Sequence, residues 1–166
     1  MKEHYRCLWI VPLVLVALVP TGVRSQSKHL TTDKLTTQAE VVAVGKVKET
    51  KSEWDEFHSS IRTRVTLSVD EYLKGSGGNT FDVYVPGGEV DGVGELYTHM
   101  ARFKKDEEVV VFARKDQKNR YRVSGGDQGK FIIEKDQASG RPTIGGSQSL
   151  DDFKTEVRGY AKGPKK

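Results

Sequence analysis

Residues 60–72, SIRTRVTLSVDEY, set the fold class of this 166-residue chain. Between Ile61 and Asp70 the side chains alternate: Ile, Thr, Val, Leu and Val fall on one face, and Arg, Arg, Thr, Ser and Asp fall on the other. Strict alternation over ten residues predicts a long antiparallel strand with one face buried and one face in water. The chain is therefore expected to be mainly β.

Other segments have strand character and are separated by Gly-rich turns. Residues 40–47 are rich in β-branched side chains and contain Gly45, a common position for a bend or bulge. Residues 80–85 alternate again, whereas residues 109–113 are apolar on both faces, as expected for a strand that is covered on both sides. Short strands at these spacings predict an antiparallel barrel or sandwich.

Composition divides the chain into five segments. Residues 1–25 have a basic start, a thirteen-residue apolar run and small residues at the end, which is the layout of a secretory signal peptide. We therefore expect a secreted or periplasmic protein with no membrane span after cleavage; an uncleaved N-terminal anchor is the alternative. The other four segments are a lead-in (26–38), the β domain (39–136), a flexible Gly- and Ser-rich linker (137–147) and an amphipathic helix (148–162).

Charge and cysteine content narrow the class of protein. Residues 1–25 contain the only cysteine, Cys7, and account for +2 of the formal +4 charge, so the mature chain has no cysteine and a charge of +2. A secreted domain without disulfides must stay folded through its core alone. Because nucleic-acid binding usually requires a clustered basic surface, this near-balance of charge gives no indication of it.

No motif in the sequence selects an active site. His29, His58 and His99 form no HExxH motif and no pair with metal-ligand spacing, and there is no GxSxG motif. We therefore predict no catalytic residue, no metal site and no cofactor. A hydrolase whose site is assembled from distant loops is an alternative, and it requires a pocket that joins His58 or His99 to carboxylates.

The connection 49–60 carries the first group of candidate binding residues. Trp54, Phe57 and His58 lie there among charged residues, between two predicted strands. Tryptophan and phenylalanine in a polar loop are common anchors of protein interfaces. The alternative is that these side chains fold back and cover an open end of the β domain.

The Gly-rich loop 86–95 carries the second group, Pro86, Gly87 and Gly88. Its acidic residues would repel a phosphate group, so a wide turn with positive φ angles is favoured over a phosphate-binding loop. A loop of this kind can also approach the backbone of a partner closely. We therefore predict a non-catalytic module that binds a protein partner through loops 49–60 and 86–95.

Basic residues provide an alternative site on the outer face of the sheet. Four arginines of the predicted strands are candidates for that face: Arg62, Arg64, Arg120 and Arg122. They would bind an envelope glycan or another anionic ligand, and binding would then be sensitive to salt. A solvated face that resists aggregation is the other interpretation.

Five segments together resemble a widespread group of uncharacterised bacterial exported proteins: AEVVAVGKV (39–47), TRVTLSVDEYLKG (63–75), VYVPGG (83–88), FKKDEEVVVFARKD (103–116) and QGKF (128–131). Their layout is similar to the netrin module and the tissue inhibitors of metalloproteinases. The resemblance implies a small antiparallel OB-like Greek-key barrel with a C-terminal helix, and it implies little about function. A secreted protease is one candidate for the protein partner. Those inhibitors act through a mature N-terminal cysteine, where this chain has Gln26, so inhibition does not carry over.

Overall fold

A computed structural model describes residues 29–163. The signal peptide predicted for residues 1–25 lies outside the described residues. No helix between residues 29 and 163 has the length and apolar character needed to cross a membrane.

The elements in chain order are α1 (Thr32–Gln38), β1 (Val41–Trp54), β2 (Ile61–Lys74), β3 (Thr80–Pro86), β4 (Gly88–Val90), β5 (Val93–Glu95), β6 (Glu108–Lys115), β7 (Tyr121–Val123), a short 3-10 helix (Gly126–Gly129), β8 (Lys130–Lys135), β9 (Pro142–Ile144), β10 (Gln148–Ser149) and α2 (Leu150–Ala161).

In the described part of the chain, five strands form a partial ring in the order β1, β2, β3, β7 and β6, and β1 also pairs with β6. The pairs are antiparallel except β3–β7, which is parallel through Tyr84 and Arg122. The sheet continues from β6 through β8, β9 and β10, and β4 and β5 form a separate two-stranded ribbon. The predicted mainly-β class and C-terminal helix are confirmed, and the sheet is mixed but largely antiparallel.

Gly45 lies where β1 is paired with β2 on one side and with β6 on the other. Its Cα partners are Val69 and Val109, and the β1–β2 register shifts between Val44 and Gly45. The irregularity predicted at this glycine is therefore present. A β-bulge bends a strand and increases its twist, which helps a sheet curve round on itself.

Strands β1 and β6 separate two apolar clusters within residues 29–163. The inner cluster fills the ring and includes Val65, Leu67 and Val83. The outer cluster lies beneath the two helices and includes Leu35 of α1 with Phe153 of α2. Alternate residues of β6 point into each cluster, so all five residues from 109 to 113 are fully buried. The prediction that this strand is covered on both sides is confirmed.

Two predicted connections contain more regular structure than expected. Strand β1 continues to Trp54, so the connection to β2 comprises residues 55–60 and not 49–60; pairing with β2 holds the polar end of β1 in strand conformation. The predicted linker 137–147 contains β9, which pairs with β8. Ile144 is 6% exposed and belongs to the outer cluster, so burial of this side chain fixes the segment.

Candidate binding surface

The turn at residues 55–60 is organised by the carboxylate of Asp55. This carboxylate accepts hydrogen bonds from the backbone N–H of Ser59 at 2.7 Å and of Phe57 and Ser60 at 3.3 Å. It also accepts hydrogen bonds from the hydroxyls of Ser59 at 2.7 Å and Ser60 at 3.1 Å. The bonds from Ser59, with those from Ser60, hold the pKa of Asp55 well below its usual range. The turn therefore holds Phe57, which is 80% exposed, on an ordered frame.

We expect Asp55→Ala to increase hydrogen exchange of the amides at residues 56–60 without changing exchange in the strands. The low pKa means that the ionised carboxylate stabilises the turn above the ordinary aspartate pKa of 3.8, and that this stabilisation is lost only as pH falls well below 3.8. NMR exchange at neutral pH measures the first effect, and the amide shifts of Ser59 and Ser60 followed through an acid titration measure the second.

Asp136 provides a matched control because it accepts hydrogen bonds from the N–H and hydroxyl of Ser139 in another turn. Asp136→Ala should increase exchange near Ser139 and leave residues 56–60 unchanged. Equal exchange at residues 56–60 in the wild type and in Asp55→Ala would contradict the role given to Asp55.

Trp54 and His58 contact each other at the base of this turn. Their rings are stacked with centroids 6.1 Å apart, and Trp54 is the last residue of β1, opposite Ile61. Trp54 is half-buried and belongs to neither apolar cluster. His58 is exposed and has a φ of 52°. His58 therefore covers part of the Trp54 ring. Phe57 is the more exposed of the two aromatic side chains, Trp54 and Phe57.

The predicted loop 86–95 folds into the β4–β5 ribbon, which is anchored to β2. Gly87 and Gly88 have positive φ angles of 87° and 139°, as expected, but the segment is a ribbon closed at residues 91–92 and not one wide turn. The hydroxyl of Thr63 donates to the carbonyl of Gly87 at 2.7 Å. The carboxylate of Glu95 accepts hydrogen bonds from the N–H of Ile61 at 3.0 Å and from the hydroxyl of Tyr97 at 3.2 Å. These contacts fix the ribbon against the β1–β2 hairpin.

A cleft of about 560 Å³ lies between the ribbon and the end of the ring. The hydroxyls of Ser52 and Thr63, 3.0 Å apart, lie beneath Gly88, where a Cβ atom would collide with both. Val65 and Phe103 supply apolar wall. The cleft therefore combines an apolar wall with a small polar floor, a composition typical of binding sites.

Exposed apolar side chains are concentrated around this cleft and the neighbouring turn. Six large hydrophobic side chains are exposed within residues 29–163: Phe57 (80%), Leu96 (74%), Val93 (49%), Tyr97 (42%), Ile132 (40%) and Tyr160 (40%). The first four lie in residues 55–60 and 86–97, which we call the loop end. A depression of about 180 Å³, lined by Asp55 and Tyr97 among others, joins the two segments.

The four predicted arginines share the outer face of the ring. Arg64, Tyr84, Arg122 and Arg114 occupy directly paired positions on neighbouring strands β2, β3, β7 and β6. The guanidinium groups of Arg62 and Arg120 lie 5.9 and 5.6 Å from the centre of the Tyr84 ring. Sequence reasoning missed Arg114, because its position opposite Arg122 follows from the β6–β7 register. The sequence signal that would have found Arg114 is the presence of basic residues on both sides of the connection at residues 116–119, since pairing of the two flanking strands brings them together.

The structure places the histidines at separate sites. His58 stacks on Trp54, whereas Nδ1 of His99 lies 3.9 Å from a carboxylate oxygen of Asp127, with both side chains exposed. Neither histidine lines the 560 Å³ cleft or the 180 Å³ depression. Between residues 29 and 163, no group of three or more His, Cys, Asp or Glu side chains is placed to hold a metal ion. The hydrolase hypothesis stays a prediction without a pocket among the described side chains to support it.

Comparison of the chain with the models of known protein families and with curated proteins finds no match to either.

Proposed function

We propose that this chain is a secreted or periplasmic, non-catalytic binding module whose protein partner docks on the loop end. The observation that carries the proposal is the concentration of exposed apolar side chains there: Leu96 and Tyr97 line the cleft, and Phe57 and Val93 are exposed on the turn and the ribbon beside it. Apolar patches with polar surroundings are typical of protein interaction sites. A secreted protease is one candidate partner.

The construction of the loop end supports this role. Hydrogen bonds to Asp55 order the turn, and the bonds of Thr63 and Glu95 anchor the ribbon to β2. Binding a partner therefore costs little entropy for ordering either segment, because both are already fixed. Rigid strands that present exposed loops are a common arrangement for recognition.

The partial ring also supports the finer description of the fold as an OB-like Greek-key barrel. Such folds are five-stranded, partly open barrels that bind their ligands with one face and the adjoining loops. Among the described strands, β1, β2, β3, β7 and β6 have this number and this incomplete closure. The loop end would then be the ligand-binding end of the barrel.

The test is recovery of a partner from the envelope and culture supernatant of the source organism with the immobilised full chain. We expect one protein to be recovered in a fixed ratio, and Phe57→Ala to reduce its affinity about tenfold or more, as for a central aromatic anchor. Tyr160→Ala is the matched control, because Tyr160 is an exposed aromatic on α2, away from the loop end.

Unfolding curves separate lost contact from lost structure. Phe57→Ala should unfold at the same denaturant concentration as the wild type, since the side chain is 80% exposed. Equal recovery of the partner by Phe57→Ala and the wild type, or recovery of no protein at all, would overturn the proposal.

A further inference from the structure

Arg114 and Arg122 face each other across the β6–β7 hairpin. They are Cα partners in an antiparallel pair, so their side chains project from the same face of the sheet. Both are exposed. Like charges directly opposite each other destabilise a sheet. The pairing of β6 with β7 therefore places two mutually repelling cations side by side.

Four neighbouring cations differ from this pair because carboxylates neutralise them. Arg62 is 3.1 Å from Glu53, Arg64 is 3.9 Å from Asp82, and Arg120 is 3.2 Å from Asp116. Lys118 is likewise 3.3 Å from Glu56. By contrast, no carboxylate oxygen within residues 29–163 lies within 4 Å of Arg114 or Arg122.

A cleft of about 680 Å³ adjoins the pair. Arg114, Arg120 and Arg122 line it with Lys115 and Lys118, and Asp116 is the acidic residue among its lining side chains. The Asp116 carboxylate is already engaged, since it accepts hydrogen bonds from the N–H groups of Lys118 and Arg120 and from the Arg120 guanidinium. Although partial burial alone would raise the pKa of Asp116, these bonds hold it below its usual value. The positive charge of Arg114 and Arg122 therefore faces the cleft without a local counterion.

We propose that Arg114 and Arg122 form a binding site for a ligand that carries closely spaced phosphate or sulfate groups. Each guanidinium can donate two parallel hydrogen bonds to such a group, and two adjacent guanidiniums match at least two negative charges. The site lies on the outer face of the sheet, and Arg122 also lines the 180 Å³ depression beside the loop end. The proposal does not rest on the protein-binding role of the loop end.

Recognition at this site rests on the charges of the ligand. The lining residues include no aromatic side chain, so a nucleobase would have no partner on which to stack. Tyr84 lies nearby, but the guanidiniums of Arg62 and Arg120 are placed over its ring. These features favour a polyphosphate or a sulfated saccharide over a nucleic acid.

The experiment is calorimetric titration of the full chain with tripolyphosphate, with a sulfated disaccharide and with oligothymidine, at low and at physiological ionic strength. We expect tripolyphosphate or the sulfated disaccharide to bind, and the stronger of the two identifies the source of the anionic groups. Arg114→Gln and Arg122→Gln should each weaken binding about tenfold, since each removes charged hydrogen bonds. Added salt should weaken binding by the wild type.

Arg141→Gln is the matched control. Arg141 lies between β8 and β9, is exposed and has no carboxylate within 4 Å among the described residues, so this substitution removes the same charge away from the cleft. It should leave affinity nearly unchanged. The melting temperatures of Arg114→Gln and Arg122→Gln should equal or exceed that of the wild type, because each relieves a repulsion. Equal weakening by Arg141→Gln, binding of oligothymidine alone, or no binding of any probe would overturn the proposal.

Discussion

Phe112→Ala is expected to lower the free energy of unfolding by about 4 kcal/mol, a typical loss when a buried phenylalanine is truncated. Phe112 is fully buried in the outer cluster. Its ring centre lies 5.6 Å from that of Phe131 and 6.3 Å from that of Phe153, with both contacts edge-on. Truncation leaves a cavity between β6 and α2, and the hydrogen-bonded pairing of β6 with β1 and β8 restricts collapse into that cavity. Urea denaturation followed by circular dichroism measures the change.

Phe57→Ala makes the same chemical change on an exposed side chain and should alter stability by less than about 0.5 kcal/mol. The difference between the free energies of unfolding of Phe112→Ala and Phe57→Ala measures the contribution of burying the ring. A Phe112→Ala protein that unfolds at the same urea concentration as Phe57→Ala would contradict the packing of α2 on this cluster.

Gly45→Ala is expected to destabilise the protein by about 3 kcal/mol, the upper part of the range for overpacking a filled site. An added Cβ would lie 3.0 Å from the Cα of Val69 and still closer to the carbonyl oxygen of Ser68. Both neighbours are backbone of β2, so no side-chain rotation can relieve the contact. The strand pair must separate at the bulge, where β1 is also held by β6. Thermal and urea unfolding of the full chain measure the cost.

Gly159→Ala is the matched control for this substitution. Gly159 lies on the exposed side of α2, and a Cβ there would meet no atom within 4 Å. Alanine is the better helix former, so the variant should gain about 0.5–1 kcal/mol. The two substitutions should therefore change the free energy of unfolding in opposite directions. Destabilisation of similar size in both variants would count against the close approach of β1 and β2 at Gly45.

The sequence contained enough information to predict those strands whose burial pattern is regular. The alternation from Ile61 to Val69 and the apolar run from Val109 to Ala113 predicted a half-buried strand and a strand covered on both sides. The end of β1 was missed because residues 48–53 are polar and are held by pairing with β2, not by burial. Strand β9 was missed because glycines flank it, and its position depends on Ile144 reaching a cluster formed by distant residues.

At the candidate sites, too, features set by residue type could be predicted, whereas features set by long-range strand pairing could not. The exposed Phe57 and the positive φ angles at Gly87 and Gly88 could be anticipated from residue type and context. The arrangement of Leu96 and Tyr97 around the cleft depends on how the β4–β5 ribbon folds back over the ring, which local sequence does not encode. The pairing of Arg114 with Arg122 depends on a single register choice, since a shift of one residue would place the two side chains on opposite faces.

The length of β1 also determines how the molecule can be attached to a support. Helix α1 leads directly into β1, and residues of both helices, Asp33 and Glu156 among them, line one depression. Trp54, at the far end of β1, leads into the loop end after 14 residues, which span about 40 Å in strand conformation. A tether joined near residue 163, which lines that depression together with Lys74 at the far end of β2, therefore lies far from the loop end. Immobilisation near residue 163 leaves the loop end facing solution.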